Sequence, residues 1–441
     1  MSLSTQTQTP YDLVERPNKQ KLLDAFKGRN IDTLRTPAAV IDRSIFANNC
    51  ARMHTNAKEW GAGFRAHVKT HKTSEGVKLQ LQSSSDSTHA VVVSTLMEAW
   101  QIVEAGLVKD GVVKDILYGL PVAVNKIADL SALWDTIEPT GAIVRVLIDH
   151  EEQIKFLEEF ETTKASFRRW SAFIKVDAGS KRAGLDPRSP IFESLVQKAL
   201  SSPSISVFGF YCHAGHSYAS TSPTAASKFL SVEVNAVNDA AALGLKIKSS
   251  LQQTPSERVG NEEFVLSVGS TPTAHAATAE TRAQLSALLN GSLELHAGNY
   301  PLLDLQQLHT GLVQRDRIAQ RVLSTVISYY PGRGANGTDE ALCDAGAIAM
   351  SKDTGPSGSY GELVGKSWKL GRVSQEHGIL TIDESCTPKG DNRLEIGEVV
   401  HIVGQHACLT LAAYPWYYVV DSSVKDGGSV VEDVWVPWKG W

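Results

Sequence analysis

The chain has 441 residues, 43 basic against 48 acidic side chains, a net charge of −5, and 42% hydrophobic and 21% charged residues. That is length for two or three domains around a large core, with a charge balance that excludes a general nucleic-acid binder or a basic membrane-surface protein. The N-terminal MSLSTQTQTPYDLVERP lacks an apolar signal core, no run of about 18 apolar residues exists to span a bilayer, and the five scattered cysteines make no disulfide framework, so a cytoplasmic protein is expected.

Residues 1–18 read as a disordered lead, followed by a short helix at 19–27 and the extended TPAAVID, Thr36 to Asp42. From there to about residue 310, strand-like and helix-like segments alternate. The strand candidates are RAHVKTH, HAVVVST, DILYGL, AIVRVLIDH, SAFIKVDAG, VFGFYCHAG, VLSVGSTPT and LELHAGNY. Most are β-branched apolar runs without strict alternation, as expected of strands buried on both faces. Between them lie amphipathic stretches such as TLMEAWQIVEAG, stopped by Gly106, and PIFESLVQKAL, entered through a proline. Eight such units predict a (β/α)8 TIM-like barrel over 36–310, with a doubly wound open sheet as the alternative. After Arg317 the strands become short and are divided by Gly, Pro and Asp. This predicts a second, mainly β domain over 311–441. At its start GRGANG, Gly332 to Gly337, has the dinucleotide glycine spacing, but the TDEALCDAG that follows makes a poor helix and completes no βαβ unit. SERVGNEEF, ahead of the seventh strand, reads as a loop insertion.

In such a barrel the chemistry gathers at the C-terminal ends of the strands. Those ends offer Lys69 and His71, Asp177 and Arg182, Tyr211, His213 and His216, then Gly269-Ser270-Thr271, then Gly298-Asn299-Tyr300. In VGSTPTAHA, Gly269 permits close backbone approach, and Ser270 and Thr271 supply hydroxyls and free N–H groups ahead of a helix. That turn is either a phosphate cradle or a plain helix cap. Strand alternation puts His67, Lys69 and His71 on one face. Lys69 is then either a snorkelling lysine or, in a partly dry barrel mouth, an amine of lowered pKa able to form a Schiff base. A lysine for an aldehyde beside a cradle for a phosphate points to pyridoxal phosphate, with His213 placed to stack on its ring. In the β domain GQHACLT puts His406 and Cys408 two apart, on one side of an extended strand. Imidazole and thiolate suit zinc, and two ligands leave an open site; the plain alternative is a core histidine beside a small buried cysteine.

Together these segments resemble the D-serine dehydratase family of fold-type III pyridoxal-phosphate enzymes, relatives of alanine racemase and D-threonine aldolase. The resemblance runs from about Thr36 onward through TPAAVID, HVKTHKT, IKVDAGSKRAG, YCHAGHSY, SVGSTPT, HAGNYPLLD and QHACLT. It implies Lys69 as the Schiff-base residue and Arg182 near the cofactor's phenolic oxygen. His213 and Tyr211 face the cofactor, Gly269, Ser270 and Thr271 form the phosphate turn, and Tyr300 lies near the cofactor. His406 and Cys408 are the zinc ligands. It also implies a homodimer, and a β domain that takes in 19–35 together with 311–441. His67 and His71 share the face of Lys69, Arg65 and Lys72 read as rim charges, and His296 and Tyr211 are both candidates for the pyridine-nitrogen partner.

The reaction so implied is α,β-elimination of D-serine to pyruvate and ammonia, with Lys69 as base and zinc activating the β-hydroxyl. The alternatives are retro-aldol cleavage of β-hydroxy-D-amino acids, as in D-threonine aldolase, and a non-catalytic pyridoxal-phosphate carrier. Aldolases in the resemblance tend to carry aspartate where Cys408 stands, which favours the dehydratase.

Overall fold

The computed structural model describes residues 7–252, 263–283, 285, 288–383, 393–424, 426 and 428–441. Residues 256–262 of the expected SERVGNEEF insertion lie outside the described residues, as does Cys386; the other four cysteines are free.

The first strand, β1 (Ala38–Asp42), does not enter the barrel. Asp42 ends it by capping the next helix, Arg43–Glu59, accepting the N–H groups of Ser44 and Ile45. The barrel follows as β2 (Gly63–His67), β3 (Ala90–Val93), β4 (Asp115–Pro121), β5 (Ile143–Ile148), β6 (Trp170–Val176), β7 (Ile205–Cys212), β8 (Val265–Val268) and β9 (Ser292–Ala297). All eight are parallel, and β2 pairs with β9 to close the ring. Each coincides with a strand candidate of the sequence. Helices lie between them: Thr95 caps Leu96–Glu104, and Ser189 with Pro190 opens Pro190–Ser201.

The barrel interior is layered. At the bottom Arg65 is 1% exposed and is held by Asp115 of β4 (2.6 Å) and Glu294 of β9 (2.8 Å). It is a buried ion-pair centre and not the rim charge expected of it. Above it Val92, Leu117, Leu147, Phe173 and Tyr211 form an apolar layer. His67, Lys175, His213 and His296 stand on the same inward parity, towards the strand ends.

The second sheet consists of β10 (Gln320–Tyr330), β11 (Glu340–Cys343), β12 (Gly361–Leu363), β13 (Trp368–Val373), β14 (Gly378–Ile382), β15 (Val399–Gly404), β16 (Tyr417–Val420) and β17 (Asp433–Trp435), with β1 among them. Among the described residues its order is β11-β14-β13-β12-β15-β10-β1-β16-β17. β1 is antiparallel to β10 and parallel to β16. The expected boundary at residue 36 is therefore corrected: the TPAAVID strand belongs to the β domain because both its edges are paired there. Gly332–Gly337 connects the antiparallel strands β10 and β11, so the glycine spacing marks a hairpin loop.

Residues 7–18, expected to be disordered, lie along the barrel. The N–H groups of Gln8 and Thr9 donate to Asp129 (3.0 and 2.9 Å), and Tyr11 stacks on Trp100 at 4.5 Å. Among the described residues no helix is long and apolar enough to cross a membrane.

Candidate active site

β2 ends at His67, and the chain turns at once. The Lys72 N–H donates to the Val68 carbonyl (3.0 Å), closing a five-residue turn that presents Lys69 half-buried. Strand alternation therefore stops before Lys69, which corrects the expected shared face. His71 leaves the mouth altogether: it is fully buried, its Nδ1 accepts the Thr73 N–H (3.1 Å), and its Nε2–H donates to Gln80 Oε1 (2.8 Å). Burial pushes its pKa down to about 4. Gly76 is required beside it, since a Cβ there would lie 2.4 Å from His71 Nδ1. Lys72 turns away too and pairs with the buried Glu98 at 3.0 Å.

Three imidazoles, His67, His213 and His296, feel one another's charge, and His67 and His213 also feel that of Lys69. His213 donates from Nδ1 to the Gly269 carbonyl (2.7 Å). His296 uses Nδ1 on Ser267 (3.0 Å), and its buried Nε2 has no partner. Its ring is stacked 4.1 Å from Tyr211 and 6.0 Å from His213. Burial holds His67, His213 and His296 well below the ordinary histidine range. The charges of Lys69, Lys175 and Arg182 add to that at His213, and those of Lys69 and Arg182 at His67. Neutral imidazoles and cations thus share one basin.

Lys175, which the sequence reading passed over, is 4% exposed on β6 with its Nζ 4.4 Å above the Tyr211 ring. Burial, reinforced by Arg182, brings its pKa down to about 8. A lysine inside a strand otherwise buried on both faces was the available signal. Arg182 is exposed at the rim, in the loop after β6; a Cβ on Gly215 would lie 3.6 Å from its Nη1 and 3.9 Å from His213. Among the described residues no carboxylate stands within salt-bridge distance of Lys69, Lys175 or Arg182.

The turn at Gly269 approaches the neighbouring backbone as closely as expected but is less open. Gly269 has φ +144°, and a Cβ there would sit 2.0 Å from the His296 carbonyl oxygen. Its N–H donates to the buried Glu233 (3.3 Å), which also accepts from Ala214 (2.6 Å). Ser270 and Thr273 form a capping box that uses the Ser270 N–H (2.9 Å). The N–H groups of Gly269 and Ser270 are thus paired, so of the two N–H groups expected to be free, at Ser270 and Thr271, that of Ser270 is already taken. The Ser270 hydroxyl meets Ser217 (2.7 Å), and the Thr271 hydroxyl accepts the Asn299 N–H (3.1 Å). Tyr211 lies in the apolar layer, between His296 and Lys175. Tyr300 is not among the basin residues: it is fully buried and meets Phe64 edge-on at 5.5 Å, behind the strand wall.

His406 and Cys408 come together by a route different from the one expected. β15 ends at Gly404, His406 occupies the N-cap of the helix Ala407–Ala412, and Cys408 lies in its first turn. Each side chain favours the charged form of the other. Burial opposes both charges, yet the pairing wins: His406 rises to about 9, and Cys408 falls below its usual value, helped by Lys69. His406 Nδ1 meets Asp353 Oδ2 at 2.7 Å, a contact 53 residues apart with no signal in the sequence. Cys408 Sγ lies 3.1 Å from Thr70 Oγ1, beside Lys69. Among the described residues no cluster of three or more His, Cys, Asp or Glu forms a metal site.

The residues suit the groups this architecture implies. Three cations without carboxylate partners and an unpaired imidazole nitrogen fit an anionic, aldehyde-bearing guest. Imidazole beside thiolate, with the other imidazole nitrogen taken by a carboxylate, fits a soft divalent metal. A parallel barrel with a lysine at its mouth, joined to a β domain, is the architecture of the fold-type III pyridoxal-phosphate enzymes. The alanine racemase N-terminal domain model matches residues 41–251, and a serine dehydratase domain model matches residues 319–420. The D-serine dehydratase of Schizosaccharomyces pombe is 43% identical over 96% of both chains. That of Saccharomyces cerevisiae is 36% identical over 95% of this chain and 99% of its own. Among solved structures, a cysteine-to-alanine variant of D-threo-3-hydroxyaspartate dehydratase in the metal-free form superposes with a TM-score of 0.75. It is 28% identical over 94% of this chain and all of its own. The chain belongs to the D-serine dehydratase family and is a lyase.

Proposed function

We propose that this chain is a pyridoxal-phosphate- and zinc-dependent dehydratase that converts D-serine to pyruvate and ammonia. The observation that carries the reading is the contact of Cys408 Sγ with Thr70 Oγ1. It brings the His406–Cys408 pair against the turn of Lys69, from 338 residues away, so that an amine and a metal address one substrate. The names of the fungal relatives support the same substrate.

Lys69 would hold the cofactor by its aldehyde, with Arg182 and His213 beside it and Gly269, Ser270 and Thr271 at its phosphate end. His406 and Cys408 would hold zinc. When bound, pyridoxal phosphate supplies an electron sink for Cα, and zinc supplies a Lewis acid for the departing hydroxyl. The remaining work falls to the chain. Substrate frees the Lys69 amine, which takes the Cα proton; the Cβ–O bond breaks and hydroxide leaves. The released 2-aminoacrylate takes up water and yields pyruvate and ammonia, so water lost in elimination is regained. Burial keeps His67, His213 and His296 unprotonated, so none of them carries a proton to return to Cα. Tyr300, behind the wall, takes no part. The reading includes a cytoplasmic homodimer, whose stoichiometry sedimentation equilibrium reads directly.

The decisive assay is pyruvate release from D-serine and L-serine, before and after chelation. The expected result is D-specific release that chelation abolishes and zinc restores. Release that ignores the chelator would remove zinc from the chemistry. No pyruvate from either enantiomer with cofactor bound, and glycine from D-threonine instead, would overturn the dehydratase reading.

A further inference from the structure

Two pieces of the site come from opposite ends of the chain: the turn Val68–Lys72 and the helix Ala407–Ala412. Each is held by a third segment that the chemistry does not use. Trp438 is 1% exposed, and its N–H donates to the Lys72 carbonyl at 2.8 Å. Lys72 has φ +53°, a conformation a lysine does not adopt without support, and that hydrogen bond together with the Lys72–Glu98 ion pair (3.0 Å) supplies it. The next residue reaches the other piece. Lys439 Nζ donates to the Leu411 carbonyl at 2.8 Å, at the C-terminal end of the helix that carries Cys408, and it lies 3.4 Å from the Tyr417 hydroxyl. A cation there satisfies an open helix carbonyl and meets the negative end of the helix. The other end of the helix is fixed by Asp304, which accepts the Ala407 N–H at 2.8 Å. Lys439 is half-buried, and its pKa is brought down to about 7 by burial and by Lys72.

We infer that Trp438 and Lys439 form a positioning strap that sets the distance between the cofactor lysine and the metal pair. The inference rests on the reading of Lys69, His406 and Cys408 given above. The strap joins the two pieces by one hydrogen bond from each of two consecutive residues. Displacement of either end would open the gap that the Thr70–Cys408 contact now closes. Neither residue touches the reacting atoms, so both act through the groups they hold.

The test is Lys439→Met in the full chain loaded with cofactor and zinc, with Lys439→Arg as rescue. Two readouts are taken beside the melting temperature: the chelator concentration that strips half the zinc, and the visible absorbance of the lysine-bound cofactor. The expected result is about a tenfold fall in that chelator concentration for the methionine variant, the loss typical of an outer-shell partner. Its kcat falls, KM for D-serine changes little, and arginine restores both zinc and rate. Zinc retention and kcat equal to the parent would overturn the strap. If the methionine variant fails to fold, Lys439→Gln, whose amide still donates, is judged by the same two readouts. A parent protein that holds neither zinc nor cofactor would instead defeat the reading of the site, and the two failures are thereby distinct.

Discussion

Two lysines reach the mouth of this barrel, and their surroundings give them different roles. Lys69 stands half-buried in a turn, whereas Lys175 is shut into a strand over the face of Tyr211. Only a side chain on the turn can swing between a carbon it is bonded to and a proton it must take. Borohydride reduction of the loaded enzyme followed by peptide mass analysis is therefore expected to find the cofactor on Lys69, and Lys175→Met is expected to keep that label. A label on Lys175 would reverse the roles. The proposed metal pair has a partner outside it. Asp353 holds His406 Nδ1 at 2.7 Å, which would leave Nε2 free for a metal. Asp353→Asn is expected to weaken zinc about tenfold in a competition titration, and Cys408→Ala to abolish stoichiometric zinc. Full zinc content in the alanine variant would take Cys408 out of the site.

The eight barrel strands were legible in the sequence because most are apolar runs and each is closed by Gly, Asp or a capping hydroxyl. Side-chain direction was legible only inside them. Alternation carried past His67 put His71 beside Lys69, although the strand had already ended there. It likewise put His406 and Cys408 on a strand, although they open a helix. Tyr300 lies past the end of β9 and turns behind the wall. Glu233 shows what such local reading cannot reach. It sits in the helix Pro223–Gln252, and from there it ties Ala214, next to His213, to Gly269. Burial pushes its carboxyl up to about 7, against the donors that pull it down. The unfolded chain has it near 4.5. The folded state therefore binds the extra proton between those values, and stability is lost as pH rises from about 4.5 through about 7. Glu233→Gln keeps an acceptor for both N–H groups and removes the titration. Its stability, read from urea melts at each pH, is expected to gain on the parent across that window and to run parallel above it, by about 3–4 kcal/mol at most. A difference that does not vary with pH would show that Glu233 does not titrate there.

At the scale of the whole molecule the chain is threaded through its own β domain before it builds the barrel. β1 is buried along all five residues, with Ala38–Ile41 in register with Leu323–Gln320 on one side and Val40–Asp42 with Tyr418–Val420 on the other. The sequence alone could not show this, because an apolar strand ahead of eight others reads as part of the same series. The consequence is that the β domain cannot close without residues from the far end of the chain. Residues 311–441 alone would leave β10 and β16 with bare facing edges. They would also lack the fully buried Val40 and Ile41, each worth about 2 kcal/mol of apolar burial. That fragment is expected to give a collapsed, poorly dispersed amide spectrum and no cooperative melt. Co-expression with residues 19–42 is expected to restore dispersion, since that piece returns β1 and the helix Lys19–Phe26 that packs beside β17. A fragment 311–441 that melts cooperatively by itself would mean that β1 only decorates the sheet. In that case the two halves would be independent units, and the contact of Cys408 with the lysine turn would depend on docking alone. Failure of the lone fragment, with rescue by 19–42, would mean that the half carrying His406 and Cys408 is complete only after the chain has passed through it into the barrel.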